Sequence, residues 1–463
     1  MKNILKSTTI ALLMLMPISG FAQTLSADAP NEPFGEYLSG RHAFYNKQYG
    51  IAADNYLKAL ALDSENIPLN ETALTVLIID GKIDEAITIA RRLKAMDEES
   101  DFSKLVLFFN EIKTNNFPQA LLDTEGFSNN GILNLIKPFF KAWIYAGQGE
   151  KEAVEQLIFG FTKGTSFNFF NYYQSGLLYE FMDDIDQAEL YYSKSLAERG
   201  MLNLRAVEAY ARILYKQDNS DRAVELLNNY IKESPTNEKL QATLKAILNK
   251  ENIGLFVTSV NDGYAEMFYT VATILMQDNV KRVATNYLQY ALYFKEDFPL
   301  AHFLQAQIFE DDKYFEGAES HLNKISNESP LYFQSKLQRA WLFNEMEQSD
   351  KALEAFKILD KEYPDNREVL NSIAELYRTH ERYSEAIPAY DKVVDTIEQE
   401  TERDWVLFYT RGIVFDQEKR WKEAERDFKK ALQLRPEQPM VLNYLAYSWV
   451  DQGKNYIEAK KNA

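Results

Sequence analysis

The sequence contains no cysteine, which excludes disulfides, thiolate nucleophiles, thiolate zinc sites and lipid attachment through a cysteine. Its four histidines (His42, His302, His321 and His380) are scattered, so we expect no histidine-built metal site. Basic residues are outnumbered by acidic ones, 51 to 69, which gives a formal charge of −18. Such a chain lacks the basic face that phosphates need, so neither nucleic acid nor an anionic membrane surface is an expected partner.

Glycine and proline are also few, at 18 and 13 among 463 residues, as is typical of a chain made mostly of helices. Sequence signatures of catalysis are missing as well, including phosphate-binding glycine loops, the Gly-x-Ser-x-Gly elbow and His-Glu-x-x-His. We therefore expect no enzyme, no cofactor and no metal. Hydrophobic residues, at 46%, suffice for extensive burial, and the 28 tyrosines and 29 phenylalanines require a structural role.

The N-terminal segment, from Met1 to Ala22, has the pattern of a secretory signal peptide. Lys2 and Lys6 precede an apolar run over residues 10–16, and small residues stand at −3 and −1 of a cleavage point after Ala22. This run is shorter than the about 20 residues that span a bilayer, although an uncleaved anchor is the alternative. Cleavage would leave a charge of −20 and an exported protein, for example in a Gram-negative periplasm. Without a cysteine it is not expected to be a lipoprotein, and residues 23–32 are interpreted as a flexible lead-in.

Alanines recur along the rest of the chain with a period of about 34 residues, which is that of a helix–turn–helix repeat. The series is Ala52, Ala86, Ala120, Ala153, Ala188, Ala223, Ala284, Ala318, Ala352, Ala386, Ala424 and Ala459. One interval, between Ala223 and Ala284, is nearly twice as long as the others. We therefore expect a chain of helix pairs that is interrupted once.

The clearest repeat unit lies near the C-terminus. Its first helix carries Phe408, Gly412 and Phe415 on one face, its second carries Ala424, Phe428 and Ala431, and Pro436 closes the unit. This pattern of small, large and proline positions resembles the tetratricopeptide repeat. The resemblance covers about residues 33–463 and implies an all-α, right-handed solenoid of helix pairs.

Two regions depart from the repeat. The units around Ala120 and Ala153 are degenerate, since Phe108 and Glu111 stand where small and apolar residues belong. The long interval holds one extra helix and then a β-branched stretch with the turn signal Asn-Asp-Gly at 261–263.

We accordingly predict an N-terminal array over residues 33–250, an irregular joint over 251–264 and a C-terminal array over 265–463. The joint is either a hinge or ligand loop, or a packed irregular turn, and the packed turn is favoured. The final helix would begin near Tyr456 and stop at Ala463, after about two turns, where a solenoid normally has a capping helix. We therefore expect the C-terminal array to be truncated.

The resemblance also implies a site, because four positions of each first helix face the concave side of such arrays. In the C-terminal array the predicted partner-binding groove comprises Tyr269, Phe303, Gln307, Leu337, Trp341, Asn344, Asn371, Tyr409, Asn443 and Tyr447. A secondary groove comprises Tyr37, Phe44, Phe170 and Tyr173. Rings with amides between them suit an extended peptide, but superhelical curvature could instead bury the rings against one another.

The resulting hypothesis is an exported, non-enzymatic scaffold that binds extended segments of protein partners, in cell-envelope assembly. Its acidity favours a neutral or basic peptide. One alternative is a glycan-binding factor in polysaccharide export, since planar rings also suit sugars. Another is the repeat region of an enzyme whose catalytic domain lies beyond residue 463.

Overall fold

The computed structural model describes residues 33–128, 131–161, 167–198, 204–234 and 237–453. The signal-peptide prediction and the helix predicted from Tyr456 lie outside these residues. In the described part of the chain the regular structure is helical throughout, with short 3-10 helices at Thr124–Gly126 and Glu402–Asp404. This confirms the all-α prediction.

The described α-helices follow one another in pairs over most of the chain. The first thirteen are α1 (Phe34–Tyr45), α2 (Tyr49–Leu62), α3 (Ile67–Ile79), α4 (Ile83–Ala95), α5 (Asp101–Lys113), α6 (Phe117–Asp123), α7 (Gly131–Gln148), α8 (Lys151–Phe161), α9 (Asn168–Phe181), α10 (Ile185–Ala197), α11 (Leu204–Lys216), α12 (Ser220–Glu233) and α13 (Glu238–Leu248). The others are α14 (Val260–Gln277), α15 (Lys281–Phe294), α16 (Pro299–Asp311), α17 (Phe315–Asn323), α18 (Tyr332–Glu345), α19 (Ser349–Glu362), α20 (Arg367–Thr379), α21 (Tyr383–Asp395), α22 (Trp405–Gln417), α23 (Trp421–Leu434) and α24 (Pro439–Asp451). None of these helices combines the length and apolar composition that a membrane span requires.

The two helices of a pair are joined by one recurring turn. A residue with left-handed backbone ends each first helix, and Lys47, Gly81, Asn115, Gly149 and Asp183 occupy this place in successive repeats. The next amide donates to the carbonyl five residues earlier, as from Gln348 N to Phe343 O at 2.8 Å. This is the Schellman ending of a helix, which satisfies carbonyls that the helix leaves unpaired.

The recurring alanines lie where the two helices of a pair meet. Nearly all those in described residues are fully buried, but Ala153 is partly exposed and its neighbour Val154 is buried instead. The structure thus corrects the series at this point, because Val154 lies midway between Ala120 and Ala188, one repeat length from each. In the clearest unit, a Cβ on Gly412 would lie 2.7 Å from the ring of Phe428, so only glycine fits that crossing.

The chain divides into two compact units between Tyr332 and Phe333. We call the part before this point unit 1 and the part after it unit 2. The division is not at the 251–264 joint that the repeat spacing predicts. Helix α14 packs against α7 and α9, and α15 packs against α3, so helices on both sides of the joint share one core.

The irregular stretch itself is shorter than predicted, because α14 already begins at Val260. The Ser259 side chain accepts from the backbone N–H of Asp262 at 3.0 Å, which caps the helix. The Asn-Asp-Gly interpreted as a turn signal therefore lies in the first turn of α14. Phe256 and Val257 of the stretch are buried, as the packed-turn interpretation expects.

The degenerate repeats build the centre of unit 1. The ring of Phe108 lies 4.8 Å from that of Phe140, and the ring of Phe109 lies 4.7 Å from that of Tyr290 on α15. Large rings replace small residues here because α5 and α7 contact α14 and α15 as well as their own neighbours. Much of the aromatic excess is thereby placed in the core of unit 1.

In its described residues, 333–453, unit 2 contains three helix pairs, α18–α19, α20–α21 and α22–α23, followed by α24. Its core includes Ala340, Phe356, Ala374, Tyr390 and Phe428, each fully buried. A buried ion pair crosses from α22 to α23, where Arg411 Nε lies 2.6 Å from Asp427 Oδ2.

Candidate binding surfaces

The first helices of unit 2 carry one row of residues at the four positions that the resemblance assigns to a binding face. We call this set the unit 2 face. It comprises Gln334, Leu337, Trp341, Asn344, Glu368, Asn371, Glu375, Arg378, Val406, Tyr409, Ile413, Asp416, Met440, Asn443, Tyr447 and Val450. Its members differ widely in exposure, and exposure decides which of them a partner could contact.

The most exposed apolar part of the unit 2 face lies on α24. Tyr447 is 75% exposed, Met440 54% and Val450 51%. Because these residues are three or seven apart, they lie on one side of the helix together with the exposed Asn443. Exposed apolar groups clustered in this way mark a surface that another molecule can cover.

Helix α22 continues this surface. The two helices meet through Tyr444, whose ring lies 6.2 Å from that of Tyr409 and whose hydroxyl donates to Asp416 at 3.2 Å. Burial raises the pKa of the Asp416 carboxyl. Val406, on the first turn of α22, is 46% exposed.

Helices α18 and α20 contribute a polar part. Glu375 Oε2 accepts from Arg378 Nε at 3.0 Å and from the Tyr390 hydroxyl at 2.7 Å. Burial raises the pKa of Glu375, but these hydrogen bonds outweigh it and hold the pKa below its ordinary value. With Glu368 and Asp416, the unit 2 face carries three carboxylates and one guanidinium.

Some predicted groove residues of unit 2 face inward. Leu337 is buried, and the half-buried ring of Trp341 lies 5.1 Å from that of Phe356. Tyr409 is also half-buried, and Asn344 is half-buried beside His380, whose Nε2 lies 2.7 Å from its Oδ1. Leu337 therefore cannot bind a partner, and Trp341 offers one only its outer edge.

In unit 1 the secondary groove does not exist as predicted. Phe170 and Tyr173 are fully buried, and the Tyr173 hydroxyl donates to Glu266 of α14 at 3.3 Å. Helix α14 covers this face of α9, so the rings pack inside the unit. Tyr37 and Phe44 are half-buried against Tyr56 and Tyr49 of their own repeat.

The predicted groove residues that fall in unit 1 also differ among themselves. Tyr269 is 8% exposed, with its ring 5.1 Å from that of Phe298. Phe303 is half-buried, and Gln307 is exposed. Phe170, Tyr173 and Tyr269 are thus buried, as the alternative interpretation expects, and for the rings on α9 the covering element is α14.

Val406, Met440 and Val450 were not among the predicted groove residues. These residues occupy the same helix positions as the predicted groove residues, so the repeat numbering could have found them. The choice of aromatic and amide side chains left them out. In the described residues no group of three or more potential ligands is suited to a metal, although His302 and His321 are in contact, with their Nδ1 atoms 2.9 Å apart.

A family model for the tetratricopeptide repeat matches residues 173–238 and 337–400. Among solved structures, yeast Tom70 is 16% identical over 93% of this chain and 90% of that chain, with a TM-score of 0.35. MamA from Desulfovibrio magneticus RS-1 is 16% identical over 38% of this chain and 97% of its own, with a TM-score of 0.33. A tetratricopeptide repeat protein from Parabacteroides merdae is 15% identical over 60% of this chain and 97% of its own, with a TM-score of 0.32. TM-scores this low do not indicate that the whole chains superpose. No curated protein matches the sequence significantly.

Helix pairs at a regular period, each closed by the same turn and crossed at the same small residues, define an all-α helical repeat protein. Within that class, residues 173–238 of unit 1 and 337–400 of unit 2 match the tetratricopeptide repeat. The architecture is typical of scaffolds for protein–protein interaction.

Proposed function

We propose that this protein is an exported, non-enzymatic scaffold that holds an extended segment of a partner protein on the unit 2 face. The exposed side of α24 carries this proposal. There Met440, Tyr447 and Val450 offer apolar area, and Asn443 offers an amide that can pair with a peptide backbone. Export, and with it a role in cell-envelope assembly, is supported by the signal-peptide pattern of the N-terminal segment.

The expected ligand is a neutral or basic segment with apolar side chains. The three carboxylates of the unit 2 face exceed its single guanidinium, and the whole chain carries −18. An acidic segment would be repelled by both, most strongly at low salt.

The test is a crosslinking pull-down from the native cells with three forms of the protein. The first is unchanged, and the second carries Met440→Ser and Tyr447→Ala. The control carries Ile358→Ser and Tyr45→Ala, which replace residues that are also exposed, at 54% and 57%, but lie outside the unit 2 face. A partner captured by the unchanged and control forms and lost from the second supports the proposal.

Peptides tiling the captured partner then define the bound segment. We expect Tyr447→Ala to weaken the binding of that peptide by about 2 kcal/mol, the typical effect of truncating a central aromatic contact. Equal capture by all three forms would place the interaction elsewhere. A captured polysaccharide instead of a protein would favour the glycan-binding alternative.

A further inference from the structure

Unit 1 contains a cleft that the repeat pattern does not predict. Two cavities of about 250 and 240 Å³ adjoin there and share Arg205, Glu208, Lys239 and Leu300. The cleft lies where the extra helix α13 and the irregular stretch at 251–259 meet α11 and α14. These are the elements that interrupt the regular repeat, so the interruption creates the cleft.

The larger cavity has an apolar body. Leu204, Leu240, Ile274 and the ring of Tyr269 line it, and threonine and amide side chains complete the wall. Its volume lies just below the roughly 300–1,000 Å³ of typical small-molecule sites. A volume of this size suits one compact molecule.

A network of buried charges lies between the two cavities. Glu208 and Glu266 are each 1% exposed, and Arg205 forms ion pairs with both of them. Glu208 also accepts from Arg212 at 2.7 Å. Buried carboxylates of this kind are stable only with such partners.

Lys239 differs from Arg205 and Arg212 in lying too far from Glu208 for a hydrogen bond. Its Nζ lies 3.9 Å from Glu208, beyond hydrogen-bond distance, at the end of a side chain that is 27% exposed. Among the described residues that line the larger cavity, Arg205 and Lys239 face the single carboxylate of Glu208. The smaller cavity is lined by four cationic side chains and three carboxylates. Lys295 of the smaller cavity is paired with Asp262 at 2.8 Å, so the charges balance there, and only the lining of the larger cavity keeps one positive charge in excess.

We propose that the larger cavity binds a small organic acid, with the carboxylate on Lys239 and the apolar body among Leu240, Ile274 and Tyr269. The acid supplies a carboxylate at hydrogen-bond distance, which Glu208 at 3.9 Å from Lys239 does not. Burial lowers the pKa of Lys239, and a carboxylate at its side would favour the charged ammonium. The apolar wall selects acids with a hydrocarbon body over inorganic anions.

The test uses 4-phenylbutyrate and its neutral analogue 4-phenylbutanamide as probes, titrated calorimetrically into the purified full-length protein. We expect the acid to bind about tenfold more tightly than the amide, which corresponds to about 1.4 kcal/mol. Lys239→Met should reduce acid binding to the level of the amide and leave amide binding unchanged. Lys245→Met, on the exposed side of the same helix, removes an equal charge and should leave both unchanged.

The comparison of acid with amide in the unchanged protein does not depend on the folding of any variant. Equal binding of the two probes would overturn the proposal, as would the absence of binding by both, which would mean that the cavity holds water only. The same loss in Lys245→Met as in Lys239→Met would reduce the effect to general electrostatics and would also overturn it.

Discussion

Gly412 shows how closely the helices of unit 2 approach one another. A Cβ at this position would lie 2.7 Å from the ring of Phe428, which is itself fully buried and cannot move aside without disturbing the core. We predict that Gly412→Ala lowers the free energy of unfolding by about 1–3 kcal/mol, in spite of the better helix propensity of alanine. Urea unfolding followed by tryptophan fluorescence measures this, because four of the five tryptophans lie in unit 2.

Gly160 provides the control for this prediction. It also lies in a helix, but nothing stands within 4 Å of the position that its Cβ would take. Gly160→Ala should therefore be neutral or slightly stabilising for unit 1, whose unfolding the fluorescence of Trp143 reports. An equal loss in both variants would mean that a clash with the Phe428 ring is not the cause of the loss at Gly412.

Arg411 contacts two carboxylates in different surroundings. Asp427, whose side chain is 1% exposed, accepts from Nε at 2.6 Å and from Nη2 at 3.1 Å, whereas Asp391, 51% exposed, accepts from Nη1 at 2.9 Å. We predict a loss of about 3 kcal/mol for Asp427→Ala, because it leaves a buried guanidinium without its bidentate partner. Asp391→Ala should cost less than about 1 kcal/mol, since its ion pair is exposed to water. Chemical denaturation of both variants tests this difference, and similar losses would contradict it.

At the level of single residues the sequence predicts burial better than it predicts a binding role. In the described residues the alanine period marks the positions where helices cross, except at Ala153, where Val154 takes that place. The same numbering assigns Tyr173 and Tyr447 to equivalent kinds of position, yet the first is fully buried and the second is 75% exposed. The difference arises because α14 covers α9, a contact between helices far apart in the chain that no local pattern encodes.

Helices α16 and α17 are joined by a pair of imidazoles. His302 Nε2 lies 2.9 Å from the carbonyl of Glu296 and must donate to it, so His302 Nδ1 accepts from His321 Nδ1–H. Burial lowers the pKa of His302 to about 4 and, with the neighbouring His302, that of His321 to about 3. Both rings are therefore neutral in the folded protein at neutral pH.

This pair should make unit 1 sensitive to acid. In the unfolded chain these two histidines have pKa values of about 6.5 and take up protons below this pH, whereas in the folded protein His302 does so only near pH 4 and His321 near pH 3. The two histidines therefore leave the free energy of unfolding unchanged above pH 6.5. Below this pH each ring lowers it by roughly 1 kcal/mol per pH unit. Replacement of both with glutamine should remove this part of the slope in denaturant titrations at several pH values. His42→Gln, which removes an exposed imidazole, is the control, and an unchanged slope in the double variant would refute the assignment.

The irregular stretch at 251–259 is held by side chains from earlier helices. The buried carboxylate of Glu180 on α9 accepts from the backbone N–H of Phe256 and from the Tyr192 hydroxyl. We predict that Glu180→Ala frees this stretch, so that hydrogen exchange at Phe256 and Val257 becomes faster while unit 2 is unaffected. Glu155→Ala, an exposed substitution on α8, should not change the exchange. If exchange at Phe256 stayed slow without Glu180, burial of the ring alone would hold the stretch in place.

For the whole molecule, the sequence correctly predicts the all-α class and the repeat, because both depend on local periodicity. The division into units was not predictable in this way. The repeat spacing is interrupted at the joint, but the core is not, since α14 and α15 bury their rings against α3, α5 and α7. An interruption of sequence period shows where the local geometry changes, and only packing shows where one core ends and the next begins.

The position of the cut should therefore decide whether fragments of the chain fold. We predict that residues 33–332 and 333–463, expressed separately, each unfold cooperatively, because each keeps its own buried core. A fragment of residues 33–250 should instead expose the rings of Phe108, Phe109 and Phe140, which contact Tyr264 and Phe268 of α14 in the intact unit. We expect this fragment to bind a hydrophobic dye, to lose its near-ultraviolet circular dichroism and to unfold without a sharp transition. Cooperative unfolding of residues 33–250 without dye binding would show that the contacts with α14 and α15 are dispensable, and that the N-terminal array is a folding unit after all.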